Sequence, residues 1–154
     1  MNSIIPSSED RVSHATDAEI NESIATATEL AVLKFRGASA AALTARIEEL
    51  KREWDVERTL ELNAGLLTAA ASFLVLKHRR PGWAFVSLAV GSFLALHAVQ
   101  GWCPPLPILR RAGIRTPAEI HEEILALRIL RGDFVTTHDP AEALQQARRS
   151  GLQS

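Results

Sequence analysis

LNAGLLTAAASFLVLKHRRPGWAFVSLAVGSFLALHAVQGW, residues 62–102, is the most apolar stretch of the chain and decides how the rest is read. It holds two hydrophobic runs, Leu62 to Leu76 and Trp83 to Trp102, joined by the tight basic bend Lys77-His78-Arg79-Arg80-Pro81-Gly82. Asn63, Thr68 and Ser72 are the polar side chains of the first run, and Ser87, Ser92, His97 and Gln100 those of the second. A full helical span needs roughly 20 residues; the second run meets that and the first, at about 15, falls short. The first must therefore borrow length from the charged segment before it or sit in a thinned bilayer. The pairing, the basic turn and the tryptophans near the ends of the second run point to a helical hairpin in lipid. A soluble bundle with an unusually apolar hairpin core is the competing architecture.

Small residues suggest how such a hairpin closes. Ser87, Gly91 and Ala95 recur every four residues in the second run, as do Gly65 and Ala69 in the first. That spacing lets backbones approach where lipid removes any hydrophobic force between helices. Orientation follows from the basic residues. Lys77, Arg79 and Arg80 lie in the bend, against Arg46, Lys51, Arg52, Arg58, Arg110, Arg111 and Arg115 near the two outer ends. Both flanks share one side, so the positive-inside rule places both termini in the cytoplasm.

Outside the hairpin the signals are helical. The expected class is all-α: a two-helix transmembrane hairpin flanked by amphipathic cytoplasmic helices. Residues 1–16 read as a disordered tail rich in Ser, Asp and Glu, without the basic and apolar regions of a signal peptide. Residues 17–61 carry amphipathic, coiled-coil-like helices. Ile20, Ile24, Ala27, Leu30 and Leu33 share one face of the first, which Gly37 follows. Ser39 caps the next, whose Leu43, Ile47, Leu50 and Trp54 form a seam suited to self-association. No Gly or Pro intervenes before Gly65, so a single rod from Ser39 to Leu76, about 55 Å long, is expected. Residues 103–134 comprise a proline-rich exit, with prolines at 104, 105 and 107, then a helix. Thr116-Pro117-Ala118-Glu119 starts that helix and Gly132 stops it; Asp139-Pro140-Ala141-Glu142 starts a short one within 135–154.

Net charge is −1, with mean hydropathy +0.04 despite 23% charged residues. Neither nucleic acid nor an acidic partner is indicated. Cys103 is the only cysteine, which excludes an internal disulfide. It reads either as a reactive thiol (redox-active, persulfide-carrying or paired across a dimer) or as a small apolar residue packing a turn. His97 stands inside the second run, where an ionisable residue is a functional candidate by default. It could relay protons, ligate a metal or haem across a dimer, or reach interfacial water. No second His, Asp or Glu falls within either run to complete a metal site, so no metal or cofactor is expected. His121-Glu122-Glu123 lacks the second histidine of a zinc protease and reads as a solvated helix face.

Three segments then carry a resemblance: Arg52-Glu53-Trp54-Asp55-Val56-Glu57-Arg58 with Leu60 to Ala64, Gln100-Gly101-Trp102-Cys103-Pro104-Pro105-Leu106-Pro107 with Ile108 to Arg111, and Leu130-Arg131-Gly132-Asp133-Phe134. Together they resemble the small bacterial inner-membrane proteins built on a YgaP-like two-span transmembrane domain, over about Leu50 to Phe134. The resemblance implies the hairpin, a bacterial inner membrane and dimer formation. Some members carry a rhodanese domain ahead of the hairpin; this chain has no room for one, so sulfur-transfer activity does not carry over. The sequence thus favours a non-enzymatic anchor or interaction module whose partners are the bilayer and a second copy, the protein partner being unspecified. An accessory thiol or sulfur carrier using Cys103 is the alternative.

Overall fold

A computed structural model describes residues 7, 10–136 and 139–152, with side chains described as far as residue 147. Among the described residues all regular structure is helical: α1 Arg11–His14, α2 Ala18–Leu33, α3 Ala40–Leu50, α4 Val56–His78, α5 Ala84–Gln100, α6 Leu106–Arg111, α7 Pro117–Arg131 and α8 Pro140–Leu152. A 3-10 turn, Pro81–Trp83, leads into α5. The chain divides into two compact units, Met1–Ile24 with Trp54–Pro117 and Ala25–Glu53 with Ala118–Ser154.

The first unit is built on the hairpin α4–α5. Both helices are long and apolar enough to cross a membrane, and only 17% and 6% of their most apolar windows are buried within the molecule. A soluble bundle would bury those faces. Here Leu66, Phe73, Leu76, Phe85 and Leu88 stand exposed, which is the surface lipid requires. The short first run does borrow length: α4 begins at Val56, so Glu57, Arg58 and Glu61 form its opening turns.

The hairpin does not close on the expected stripe. Gly65, Ala69, Gly91 and Ala95 are exposed, and a Cβ added at either glycine would meet nothing within 4 Å. Strict four-residue spacing advances about 40° per step on an α-helix, so Gly91 and Ala95 rotate away from the face that Ser87 occupies. The facing residues mix threes and fours instead: Ser87, Val90, Leu94 and His97 on α5, against Leu60, Ala64, Thr68 and Ala71 on α4. Ser87 lies 3.5 Å from both the Thr68 carbonyl and the Ser72 hydroxyl.

The single rod is also broken. α3 ends at Leu50, and α4 starts afresh where the Asp55 side chain accepts from the Arg58 N–H at 2.7 Å. Trp54 is not on a seam; it is exposed, with the Arg58 guanidinium 4.6 Å above its ring. The tail expected over 1–16 is ordered from Asp10 onward, since α1 forms and Val12 is buried with Val56, Leu60, Cys103 and Leu106. Residues 1–6, 8 and 9 lie outside the described residues.

In the second unit, Leu43, Ile47 and Leu50 pack against Ile120, Ile124 and Leu127. The seam read as a self-association surface is therefore consumed within the chain, each such side chain contributing about 1.5–3 kcal/mol on burial. Glu123 corrects another expectation. It is fully buried rather than solvated, and its Oε1 accepts from Arg46 Nε and Nη2 at 3.0 and 2.9 Å. On α2, Ile24 is buried as expected, whereas Leu30 and Leu33 remain exposed. The local starts hold: Ser39 accepts from the Ala42 N–H and Asp139 from the Ala141 N–H. Gly37 and Gly132 take the positive φ that ends a helix.

Candidate functional site

The polar chemistry of the first unit gathers at the open end of the hairpin. Folding the chain at its bend sets Glu57, on the first turn of α4, opposite His97, on the last turn of α5. His97 Nε2 lies 3.1 Å from Glu57 Oε2, and Arg11 Nη2 donates to Glu57 Oε1 at 2.6 Å. His97 is only 3% exposed, and its Nδ1 is buried without a hydrogen-bond partner. The sequence singled out His97 but missed Glu57 and Arg11. Glu57 lies ahead of the apolar run that begins at Leu62, so hydropathy alone does not single it out. Counting outward from the bend is the signal that finds it.

The Gly-Trp-Cys-Pro-Pro exit builds the seat for α1. Gly101 ends α5 with φ +76°, its N–H donating to the His97 carbonyl at 2.8 Å. A Cβ there would stand 2.1 Å from the Arg11 carbonyl oxygen, so the glycine is what admits the α1 backbone. The prolines then turn the chain into α6. Arg110, almost wholly buried, donates to the Ile114 carbonyl at 3.1 Å and to Asn21 Oδ1 at 2.9 Å. Asn21 in turn donates to the Ser13 carbonyl, tying the α1–α2 connection to α6.

Cys103 is 4% exposed, in the cluster with Val12 and Leu106. Burial pushes its thiol up; a backbone hydrogen bond at Leu106 offsets part of this, and the Glu57 carboxylate adds to it. The cationic neighbours that would favour a thiolate are engaged elsewhere. Arg110 binds Asn21, and Arg111 lies 3.7 Å from Asp17. What Cys103 presents is a neutral thiol.

His97 and Cys103, separate candidates in the sequence, share the wall of one cavity of about 180 Å³ with Leu60, Ala64, Val90 and Leu94. Its lining is otherwise apolar apart from Asn63. Among the described residues no group of three or more His, Cys, Asp or Glu is placed to hold a metal ion. The small residues Gly65, Ala69, Gly91 and Ala95 lie outside this site, on the outer faces of the spans.

Residues 55–119 match the family model described as inner membrane protein YgaP-like, transmembrane domain. The match is narrower at both ends than the resemblance drawn over Leu50 to Phe134, and it takes in both spans, the exit and α6. No curated protein and no solved structure matches the chain. Glu57, His97, Gly101 and Cys103 all fall inside the segment similar to the YgaP-like transmembrane domain, whereas Arg11 lies outside it, and with its two apolar spans the protein is an integral membrane protein.

Proposed function

We propose that the protein is a non-catalytic membrane anchor or interaction module that self-associates within the bilayer, a dimer being the simplest form. The carrying observation is that Gly65 and Gly91 face outward with open space where a Cβ would be. Glycine inside a helix costs about 0.5–1 kcal/mol relative to alanine, which close packing of another helix would offset. The register that opposes Thr68 to Ser87 and Glu57 to His97 brings these two glycines to one level of the hairpin. With the Leu43-Ile47-Leu50 seam already used internally, the outer faces of the spans are the surface that favours a second copy. The bacterial inner membrane, with both termini cytoplasmic, is the location that the family description and the count of basic residues favour.

Energy transfer between donor- and acceptor-labelled full-length protein in liposomes tests this reading. The wild type should associate reversibly as the protein-to-lipid ratio rises, and Gly91→Leu or Gly65→Leu should weaken association about tenfold or more. Wild-type protein that stays monomeric at every ratio would refute it. The thiol-carrier reading gains no support from a buried, neutral Cys103.

A further inference from the structure

Among its described side chains α8 buries none: only Gln146 is partly covered, and Ala141 and Leu144, one turn apart on one face, stand exposed. At 13 residues it is near the length of about 12–15 below which an isolated helix is marginal in water. After Glu142 the charges it carries are Arg148 and Arg149. A short amphipathic helix left this open needs a surface to lie on. The second unit offers one of the opposite character. A groove of about 440 Å³ runs between α2 and α7. Ala25, Glu29 and Val32 line one wall and Glu119, Glu122 and Ala126 the other, at spacings of three and four that follow one face of each helix. Two helix faces that stand apart over two turns have the shape that receives a third helix. Glu29 and Glu122 are exposed there, and among the described residues no Lys or Arg lines the groove. That lining complements a helix with an apolar face and a basic C-terminal end.

We propose that the α2–α7 groove receives α8 of a second copy, with Leu144 entering the apolar part of the lining and the basic end of α8 meeting Glu29 and Glu122. The chain's own α8 is held elsewhere. The Val135 N–H donates to Gln146 Oε1 at 3.2 Å, which ties α8 to the segment after α7, whereas the groove lies on α7 between Glu119 and Ala126. The helix of a second copy enters without breaking that bond. Related by a two-fold axis, each copy both gives and receives a helix. This exchange rests on the self-association reading only for the presence of a second copy, since it takes place outside the spans.

The test uses full-length protein with Cys103→Ala, which removes the native thiol. One version carries Ala25→Cys and the other Gln145→Cys; the two are reconstituted together in liposomes and treated with a short bis-maleimide. A cross-link between the two versions should form, and should fall about tenfold or more when Glu29→Lys and Glu122→Lys are added to the groove. Arg148→Glu with Arg149→Glu on the other copy should then restore it, a rescue that a merely misfolded groove would not give. Energy transfer between the same copies reports association however it is held. Transfer without the cross-link would overturn the helix exchange and leave the self-association reading standing, whereas absence of both would overturn both. A chain carrying both cysteines that cross-links within itself, and never between copies, would place each α8 in its own groove and refute the exchange. So would cross-linking indifferent to the charge reversals.

Discussion

The two ends of the hairpin are held by different means. At the mouth, a buried histidine, a bridging carboxylate, the α1 backbone seated on Gly101 and the cluster around Val12 fix α4 against α5. At the bend, Lys77 to Gly82 is exposed throughout, and the nearest polar contacts between the helices are the long ones of Ser87. Lipid supplies no hydrophobic force to press two spans together, so helix pairing must come from packing and polar contacts. This chain concentrates those contacts at one end, where helices that continue outside the spans can add to them. The bend needs only local backbone geometry.

That contrast is broken most severely by Gly101→Ala. A side chain at φ +76° costs about 1–2 kcal/mol, and its Cβ also collides with the Arg11 carbonyl. A total loss of roughly 2–4 kcal/mol is expected, with α1 displaced. Steric-trap or denaturant unfolding in bicelles measures it, and proteolysis near Arg11 should accelerate. Gly82→Ala at the bend, where nothing crowds the site and φ is ordinary, should cost under about 0.5 kcal/mol. Comparable losses at the two glycines would remove the distinction.

Glu57→Gln comes next. It discharges the group that joins Arg11 to His97, both partly or fully removed from solvent. Stripping one partner from a buried ion pair costs about 3–5 kcal/mol; the quarter-exposed Glu57 should lose less, about 1–3 kcal/mol. Lys77→Gln, exposed at the bend, should be near neutral.

The same contrast explains what the sequence made legible. The spans, and the starts of α7 and α8, are local: an apolar run, or a capping residue followed by proline, needs no distant partner. The break between Leu50 and Val56 is local as well, yet its signal is faint. Asp55, which caps α4, lies within the charged stretch from Glu48 to Arg58 and looks like one more solvated acid. The mouth is non-local. Glu57 finds His97 across 40 residues and Arg11 across 46, so the pairing emerges only once a hairpin register exists. Small residues misled for a related reason, since a repeat of four drifts about 40° per step around a helix and does not by itself say which face it marks. The Leu43-Ile47-Leu50 pattern correctly marked an apolar face, but periodicity cannot say whether the partner helix belongs to the same chain.

A subtler probe of the mouth is pH. Because burial pushes the Cys103 thiol up, the folded protein holds that proton to higher pH than the unfolded chain does. The stabilisation is fully present below the unfolded value of about 8.5 and is lost as pH rises through the folded one. Stability should therefore fall between about pH 8.5 and the raised value in the wild type, and fall less in Cys103→Ala. Parallel pH curves for the two proteins would show that the thiol is not desolvated. In the same range, alkylation of Cys103 should stay about tenfold or more slower in folded than in unfolded protein.

The smallest effect is a gain, and it comes from the bend. Arg79 ends α4 at φ +50°, the left-handed conformation that a side chain disfavours. Glycine would take it without that penalty, but it would also loosen the unfolded chain and remove one positive charge from the C-terminal end of the helix dipole. The backbone gain of about 1–2 kcal/mol is thereby cut to roughly 0.5–1 kcal/mol in favour of Arg79→Gly. Arg79→Ala removes the charge and keeps the strain, so it should gain nothing. If the bend is held by backbone geometry alone, unfolding measurements should separate these two variants. If they behave alike, the charge on Arg79 matters more than its conformation, and the bend has to be counted as an electrostatic anchor at the membrane surface.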